Sequence, residues 1–268
     1  CQVAKNQIIS SGPSNGTLII IGGGEISESL NNRIMEVSGG LQIPIVVIPT
    51  ADGSDNYDQN FGEAGLLRKM GAKNVTVLHT NDRNVANSEE FVKPLINAKL
   101  VWFSGGRQWR LVDAYKNTLT EKMLLKVLEN GGTIGGSSAG ATIQGSFLVR
   151  GDSKNNQIMM GDHQEGFGFL KNVAIDQHVL ARNRQFDMFE ILRNHPGILG
   201  IGIDESTAIF VKGDVFEVVG KSYVLVYDGK FWSREGSELK KLPEKEQIFY
   251  FLREGDRYNI KERKLITN

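Results

Sequence analysis

The sequence predicts an α/β fold in which a mostly parallel sheet carries helices on both faces and the C-terminal part adds antiparallel strands. Three observations lead there. Continuous apolar runs alternate with amphipathic stretches along the first half of the chain, the βαβα rhythm of a parallel sheet buried on both sides. The runs Thr17–Ile21, Ile43–Ile48, Val75–Leu78 and Leu100–Phe103 each stop at a glycine, a proline or a polar residue. From Ala208 the texture changes to close strand pairs, AIFVKGDVFEVVG and SYVLVYDGKFW, with Asp228-Gly229 as a hairpin signal.

Residues 1–16 are rich in Ser, Gly and Asn, lack periodicity and read as a flexible N-terminal leader, which leaves 17–268 as a single α/β domain. The first strand ends in Gly22-Gly23-Gly24. A dinucleotide-binding loop would need glycine where Ser27 stands, so this is a βα turn near the site and no nicotinamide cofactor is expected. Helices over Ser27–Val37, Asp58–Met70 and Ser88–Asn97 alternate with the strands that follow. Ser104-Gly105-Gly106-Arg107-Gln108 lies beyond the carboxyl end of a strand, where ligands of such sheets bind. Its glycines free backbone amides, and Gln108 offers both a donor and an acceptor. Thr118-Leu119-Thr120-Glu121 has the spacing of a capping box, opening a helix that stops at Gly131-Gly132. The strand Thr133-Ile134 then leads into Gly136-Ser137-Ser138-Ala139-Gly140.

Beyond that point Gly151–Gly168 is polar and irregular, a hairpin or a loop over the site. A short strand at Val173–Ile175 ends in Asp176-Gln177-His178, and a helix near Arg182–Arg193 follows. The strand Ile198–Ile203 ends in Asp204-Glu205-Ser206-Thr207, and Gln247–Leu252 adds an edge strand.

The formal charge of +0 and the pI near 7.1 give no basic field, so no nucleic-acid partner is expected. No apolar run approaches the roughly 18 to 20 residues that would span a bilayer. The single cysteine is Cys1, which leaves no intrachain disulfide and no cysteine cluster for a metal. A chain that starts with Cys and continues through QVAKNQIISSGPSNG has the form of a processed lipoprotein. A lipid anchor on Cys1, with a secreted, periplasmic or membrane-tethered location, therefore stands beside a cytoplasmic protein whose sequence starts there by chance.

Chemistry concentrates at Ser138. A Gly-x-Ser-x-Gly stretch between a strand and a helix of small residues is the setting of a nucleophile elbow, although a tightly packed Gly/Ser/Ala loop would look the same. As a nucleophile, Ser138 would use the amide of Ala139, with those of Gly105 and Gly106, as oxyanion donors. Of the four histidines, His178 is the best placed to activate it, being at a strand end among polar neighbours. Glu205 ends a strand at the same edge and can hold the second imidazole nitrogen. The order Ser138, His178, Glu205 differs from the serine, acid, histidine order of α/β-hydrolases. Class I glutamine amidotransferases use cysteine and keep histidine and glutamate close together, which is also not the case here.

With these residues assembled the chain resembles the peptidase S51 family, and its cyanophycinases more than its aspartyl dipeptidases. The resemblance runs through Ile20-Ile21-Gly22-Gly23, Phe103 to Gln108, Gly136 to Ala141, Asp176-Gln177-His178 and Gly202 to Ala208. It implies a flavodoxin-like (class I glutamine amidotransferase-like) sheet and a serine peptidase with Ser138 as nucleophile, His178 as base and Glu205 as its orienter. It further implies a metal-free homodimer without cofactors, and a peptide or poly-aspartate substrate, the arginine-decorated polymer cyanophycin, released as β-linked Asp-Arg dipeptides. The pocket residues map to Gln108, Asp176, Gln177, Arg182 and Arg184, whose guanidinium forks suit free carboxylates. The chain departs from the family pattern at Asp187 (arginine there), Arg107 (an acidic residue) and Val179 (phenylalanine). Two other functions stay open: an S51-type dipeptidase acting on short aspartyl or isoaspartyl peptides, and a non-catalytic lipoprotein that binds a peptide.

Overall fold

Parallel strands grow where apolar runs meet, and here they begin at the centre of the sheet. In the computed structural model, residues 9–238, 241, 243–244 and 247–267 are described. The first half contains β1 (Thr17–Ile21), α1 (Glu28–Ser38), β2 (Ile45–Ile48), α2 (Gly62–Lys69), β3 (Val75–Val77), α3 (Arg83–Ala86), α4 (Glu89–Ile96) and β4 (Leu100–Phe103). It continues with α5 (Gln108–Tyr115), α6 (Leu119–Glu129), β5 (Thr133–Ser137) and α7 (Ala139–Thr142). The second half contains β6 (Gly145–Phe147), β7 (Leu170–Gln177), α8 (Met188–Asn194), β8 (Leu199–Ile203), β9 (Thr207–Lys212) and β10 (Val215–Gly220). It ends with β11 (Val224–Tyr227), β12 (Tyr250–Leu252), β13 (Arg257–Asn259) and β14 (Lys264–Ile266).

Among the described residues the strands form two sheets, one of nine strands in the order β14-β13-β10-β9-β1-β5-β4-β2-β3 and one of five in the order β12-β11-β8-β7-β6. In the large sheet β1, β5, β4, β2 and β3 run parallel, with Ile21 beside Ser137 and Phe103 beside Gly136. The α/β class and the antiparallel C-terminal additions agree with the sequence; a single sheet does not. β6, β7 and β8 are parallel to one another in the second sheet, and β11 and β12 extend that sheet rather than the first.

Side-chain alternation decides the layers. Ile19, Ile21, Val47 and Trp102 of the large sheet face Leu30 and Ile34 of α1 and Leu67 of α2. Leu18, Ile20, Val46, Val101 and Ile134 point the other way, into a core shared with α4, α5, α6 and with Val173, Ile175, Ile201 and Ile203 of the second sheet. The far side of that sheet buries Ala174 and Leu225 under Met188 and Ile191 of α8. The carboxyl ends of β1 and β5 in one sheet and of β7 and β8 in the other thus come to one place.

Local signals held where a cap or a buried run enforced them. Ser27 Oγ accepts from Leu30 N–H at 3.2 Å and Ser88 Oγ from Phe91 N–H at 3.2 Å, which fixes the starts of α1 and α4. At Thr118 the capping box is altered: Thr118 Oγ donates to Tyr115 O, and Glu121 accepts from Asn117 N–H at 2.6 Å instead. The hairpin signal at Asp228-Gly229 misleads, because Asp228 is buried and accepts the hydroxyls of Tyr250 (2.7 Å) and Tyr258 (2.9 Å), so the chain leaves the sheet there. The tight two-residue turn of this region is Gly213-Asp214, which sets Lys212 opposite Val215. Residues 9–16, read from the sequence as leader, lie against the body: Ser11 bridges Lys171, and Gly12 N–H donates to Asp214 at 3.0 Å. Residues 1–8, and with them the lipid site expected at Cys1, lie outside the described residues.

Candidate active site

β5 ends in Ser137, and the chain reverses at Ser138 with φ 57° and ψ −110°, a conformation that costs energy in any residue with a Cβ. The strain is held by a hydrogen bond from Ser138 N–H to Ile21 O of β1 at 3.0 Å. It lifts the hydroxyl out of the sheet toward the end of β7. There His178, also at positive φ (52°), donates its backbone N–H to Gly22 O at 2.7 Å. Its Nε2 lies 2.9 Å from Ser138 Oγ and its Nδ1 lies 2.6 Å from Glu205 Oε1. With a carboxylate on Nδ1 that nitrogen carries the proton, so Nε2 accepts from the serine hydroxyl.

The glycine turn after β1 makes this approach physically open. A Cβ on Gly23 would lie 2.1 Å from Cε1 of the His178 ring, and Ser206 N–H, just after Glu205, donates to Gly23 O at 2.9 Å. The turn therefore grips both the imidazole and the segment that carries its carboxylate. The other histidines are engaged elsewhere: His79 with Thr50, His163 between Asp162 and Asp113, and His195 against the Phe147 ring.

Burial, the largest influence, lowers the pKa of His178; the hydrogen bond and charge of Glu205 oppose this, while the charges of Arg182 and Arg184 add to the lowering. The imidazole is thus neutral at pH 7 and able to take a proton. Replacing Arg182 by Gln removes a cation that disfavours imidazolium. The His178 pKa then rises, protonation persists to higher pH, and the acid limb of a kcat/KM profile is expected to move upward in pH.

Beside Ser138, the loop after β4 is anchored by Ser104 N–H to Ile48 O (3.2 Å) and Arg107 N–H to Ala51 O (2.8 Å). Between these anchors the amides of Gly105 and Gly106, like that of Ala139, have no acceptor among the described residues. A Cβ on Gly105 would be 3.6 Å from Ser138 Cβ, so this backbone runs next to the hydroxyl. Gly106 has φ 134°, and a Cβ there would lie 2.1 Å from Ala51 O. Gly106→Ala is therefore expected to displace the loop and lower kcat roughly 10²- to 10³-fold with little change in KM, measured by steady-state kinetics.

The expected pocket residues are placed less uniformly. Gln108 is 1% exposed and donates its amide to Val149 O (2.6 Å) and Arg150 O (3.1 Å). Asp176, 2% exposed, has both oxygens taken by Arg150 at 2.9 and 3.0 Å, so it stands as half of an internal ion pair rather than an open ligand group. Gln177 accepts from Arg184 Nη1 at 3.0 Å. Arg182 is exposed and makes no side-chain hydrogen bond among the described residues. Neither arginine starts a helix: both lie on the turn before α8, which begins only at Met188. Asp204 pins that turn, accepting from Leu180 N–H (3.0 Å), Ala181 N–H (2.9 Å) and the Ser222 hydroxyl (2.6 Å). Sequence reading missed Arg150; a lone arginine closing the buried run Phe147-Leu148-Val149 was its only signal. Among the described residues no group of three His, Cys, Asp or Glu side chains is placed to hold a metal ion.

Residues 18–219, which carry Ser138, His178 and Glu205, match the family model of peptidase family S51. The chain belongs to this family. Among curated proteins it is similar to the cyanophycinase of Geminocystis herdmanii, 32% identical over 264 residues that cover 91% of this chain and 94% of that protein. The cyanophycinase of Synechococcus elongatus is 30% identical, covering 92% of this chain and 80% of that one. A solved peptidase from an acI-B1 actinobacterium superposes with a TM-score of 0.66 at 25% identity, over 94% of this chain and 98% of that one. A solved structure from Listeria monocytogenes EGD-e shares the fold with a TM-score of 0.54 at 20% identity, over 77% and 99% of the two chains. This S51 protein is accordingly a peptidase, a hydrolase.

Proposed function

We propose that this peptidase works through a Ser138-His178-Glu205 triad and that its substrate is cyanophycin, cut to β-linked Asp-Arg dipeptides. The observation that carries the mechanism is the unbroken hydrogen-bonded line from Ser138 Oγ through both imidazole nitrogens to Glu205. His178 Nε2 takes the hydroxyl proton as Oγ attacks the scissile carbonyl carbon. Glu205 holds the resulting imidazolium, and the amides of Ala139 and the Gly105-Gly106 loop receive the oxyanion. The imidazolium then protonates the leaving amine. Water, deprotonated by the same imidazole, releases the acyl group from Ser138.

For the substrate, the support is the exposed Arg182 guanidinium next to His178, which suits the free carboxylates of a β-aspartyl chain, together with the cyanophycinases among the curated relatives. The test is incubation with cyanophycin and, in parallel, with aspartyl and isoaspartyl dipeptides, followed by mass spectrometry. Release of β-Asp-Arg from the polymer supports the proposal. Cleavage of dipeptides alone keeps the mechanism and moves the substrate, and no turnover of either overturns both.

A further inference from the structure

We propose that Asp187 selects the substrate by a cationic group, a guanidinium or an ammonium, bound in the cleft on the turn that follows His178; this rests on the hydrolytic function proposed above. The cleft encloses ≈ 580 Å³ and is walled by Arg182, Arg184, Phe186, Asp187, Glu190 and Arg193. It hangs from the turn that carries the base: Arg182 N–H donates to His178 O at 3.0 Å and Arg184 N–H to Val179 O at 2.6 Å. A group in the cleft is therefore held in register with the imidazole.

Asp187 differs from an ordinary surface carboxylate in how it is held. Its side chain is 40% exposed, yet Oδ2 accepts from Arg150 Nη2 at 2.5 Å, and that guanidinium is only 2% exposed. Arg150 already serves Asp176, so one cation is shared by two carboxylates and Asp187, which faces the cleft, receives only part of its charge. Oδ1 of Asp187 has no partner among the described residues, and Glu190 adds a second carboxylate in no ion pair there. The ring of Phe186, 62% exposed, lines the same cleft and offers a flat surface over which a guanidinium packs favourably. Arg182, Arg184 and Arg193 supply the opposite sign. The cleft thus matches a residue that bears a cation and a free carboxylate together.

The test compares three β-aspartyl dipeptides whose second residue is arginine, citrulline or glutamate, citrulline having arginine's shape without its charge. The wild-type enzyme is expected to prefer arginine over citrulline roughly ten- to a hundredfold in kcat/KM. Asp187→Asn is expected to bring that ratio near one by slowing only the arginine substrate, Asp187→Glu to keep it, and Asp187→Lys to turn the preference toward glutamate. Unchanged citrulline turnover shows that folding and chemistry survive in the variants. An arginine-to-citrulline ratio unaffected in Asp187→Asn overturns the proposal. Should the wild type cleave none of the three, the hydrolytic function fails by itself. The selection is then read from calorimetric titration of Ser138→Ala, where equal affinity for the arginine and citrulline compounds overturns it.

Discussion

Ser138→Ala is expected to lower kcat on a β-aspartyl substrate by roughly 10⁴-fold or more while leaving stability nearly unchanged. Alanine can occupy the same strained backbone, since the cost of φ 57° falls on any Cβ and the bond from the residue 138 amide to Ile21 O is kept. The hydroxyl is the only group lost, and with it the donor to His178 Nε2. Because nucleophile and base act as one unit, His178→Ala is expected to fall about as far, and the double variant little further. Steady-state kinetics on the three variants checks this. Labelling with a serine-directed phosphonate should be abolished in Ser138→Ala. Near wild-type turnover in that variant would remove Ser138 from the mechanism.

Arg150→Leu is expected to cost about 3–5 kcal/mol of stability. Arg150 is 1% exposed, and its removal leaves Asp176, 2% exposed, without an ion-pair partner and with only the N–H of Gln177 as a hydrogen-bond donor. The penalty is that of a stranded carboxylate more than of a lost attraction. Arg150→Leu combined with Asp176→Leu should therefore recover much of it, since an apolar pair of similar size has no charge to desolvate. Urea unfolding of the two variants against wild type measures the difference. A single variant within about 1 kcal/mol of wild type would mean that water reaches Asp176.

What the sequence revealed and concealed follows from the range of each interaction. The parallel strands were legible because Leu18-Ile19-Ile20-Ile21 and Val46-Val47-Ile48 are buried on both faces and so are apolar without interruption. Ser138, His178 and Glu205 were legible as strand ends, since the ligand-binding edge of such a sheet is set by its topology. The second sheet was not: nothing in Leu199–Ile203 tells whether that strand joins β1 or β7, because either choice buries the same side chains. The helix expected from Arg182 begins at Met188 because Asp204, distant in sequence, captures the amides of Leu180 and Ala181. Arg150 and its two carboxylates are separated by 26 and 37 positions, too far for any local pattern to join them.

In the proposed triad Ser138 follows a strand of the nine-stranded sheet, and His178 and Glu205 follow strands of the five-stranded one. A chain emerging from synthesis therefore completes the serine elbow before the histidine strand exists, and neither half can cut a peptide bond alone. The proposed triad is complete only when the two sheets dock and the first glycine turn closes over the imidazole. A hydrolase that works through this triad is silent while it is nascent or misassembled.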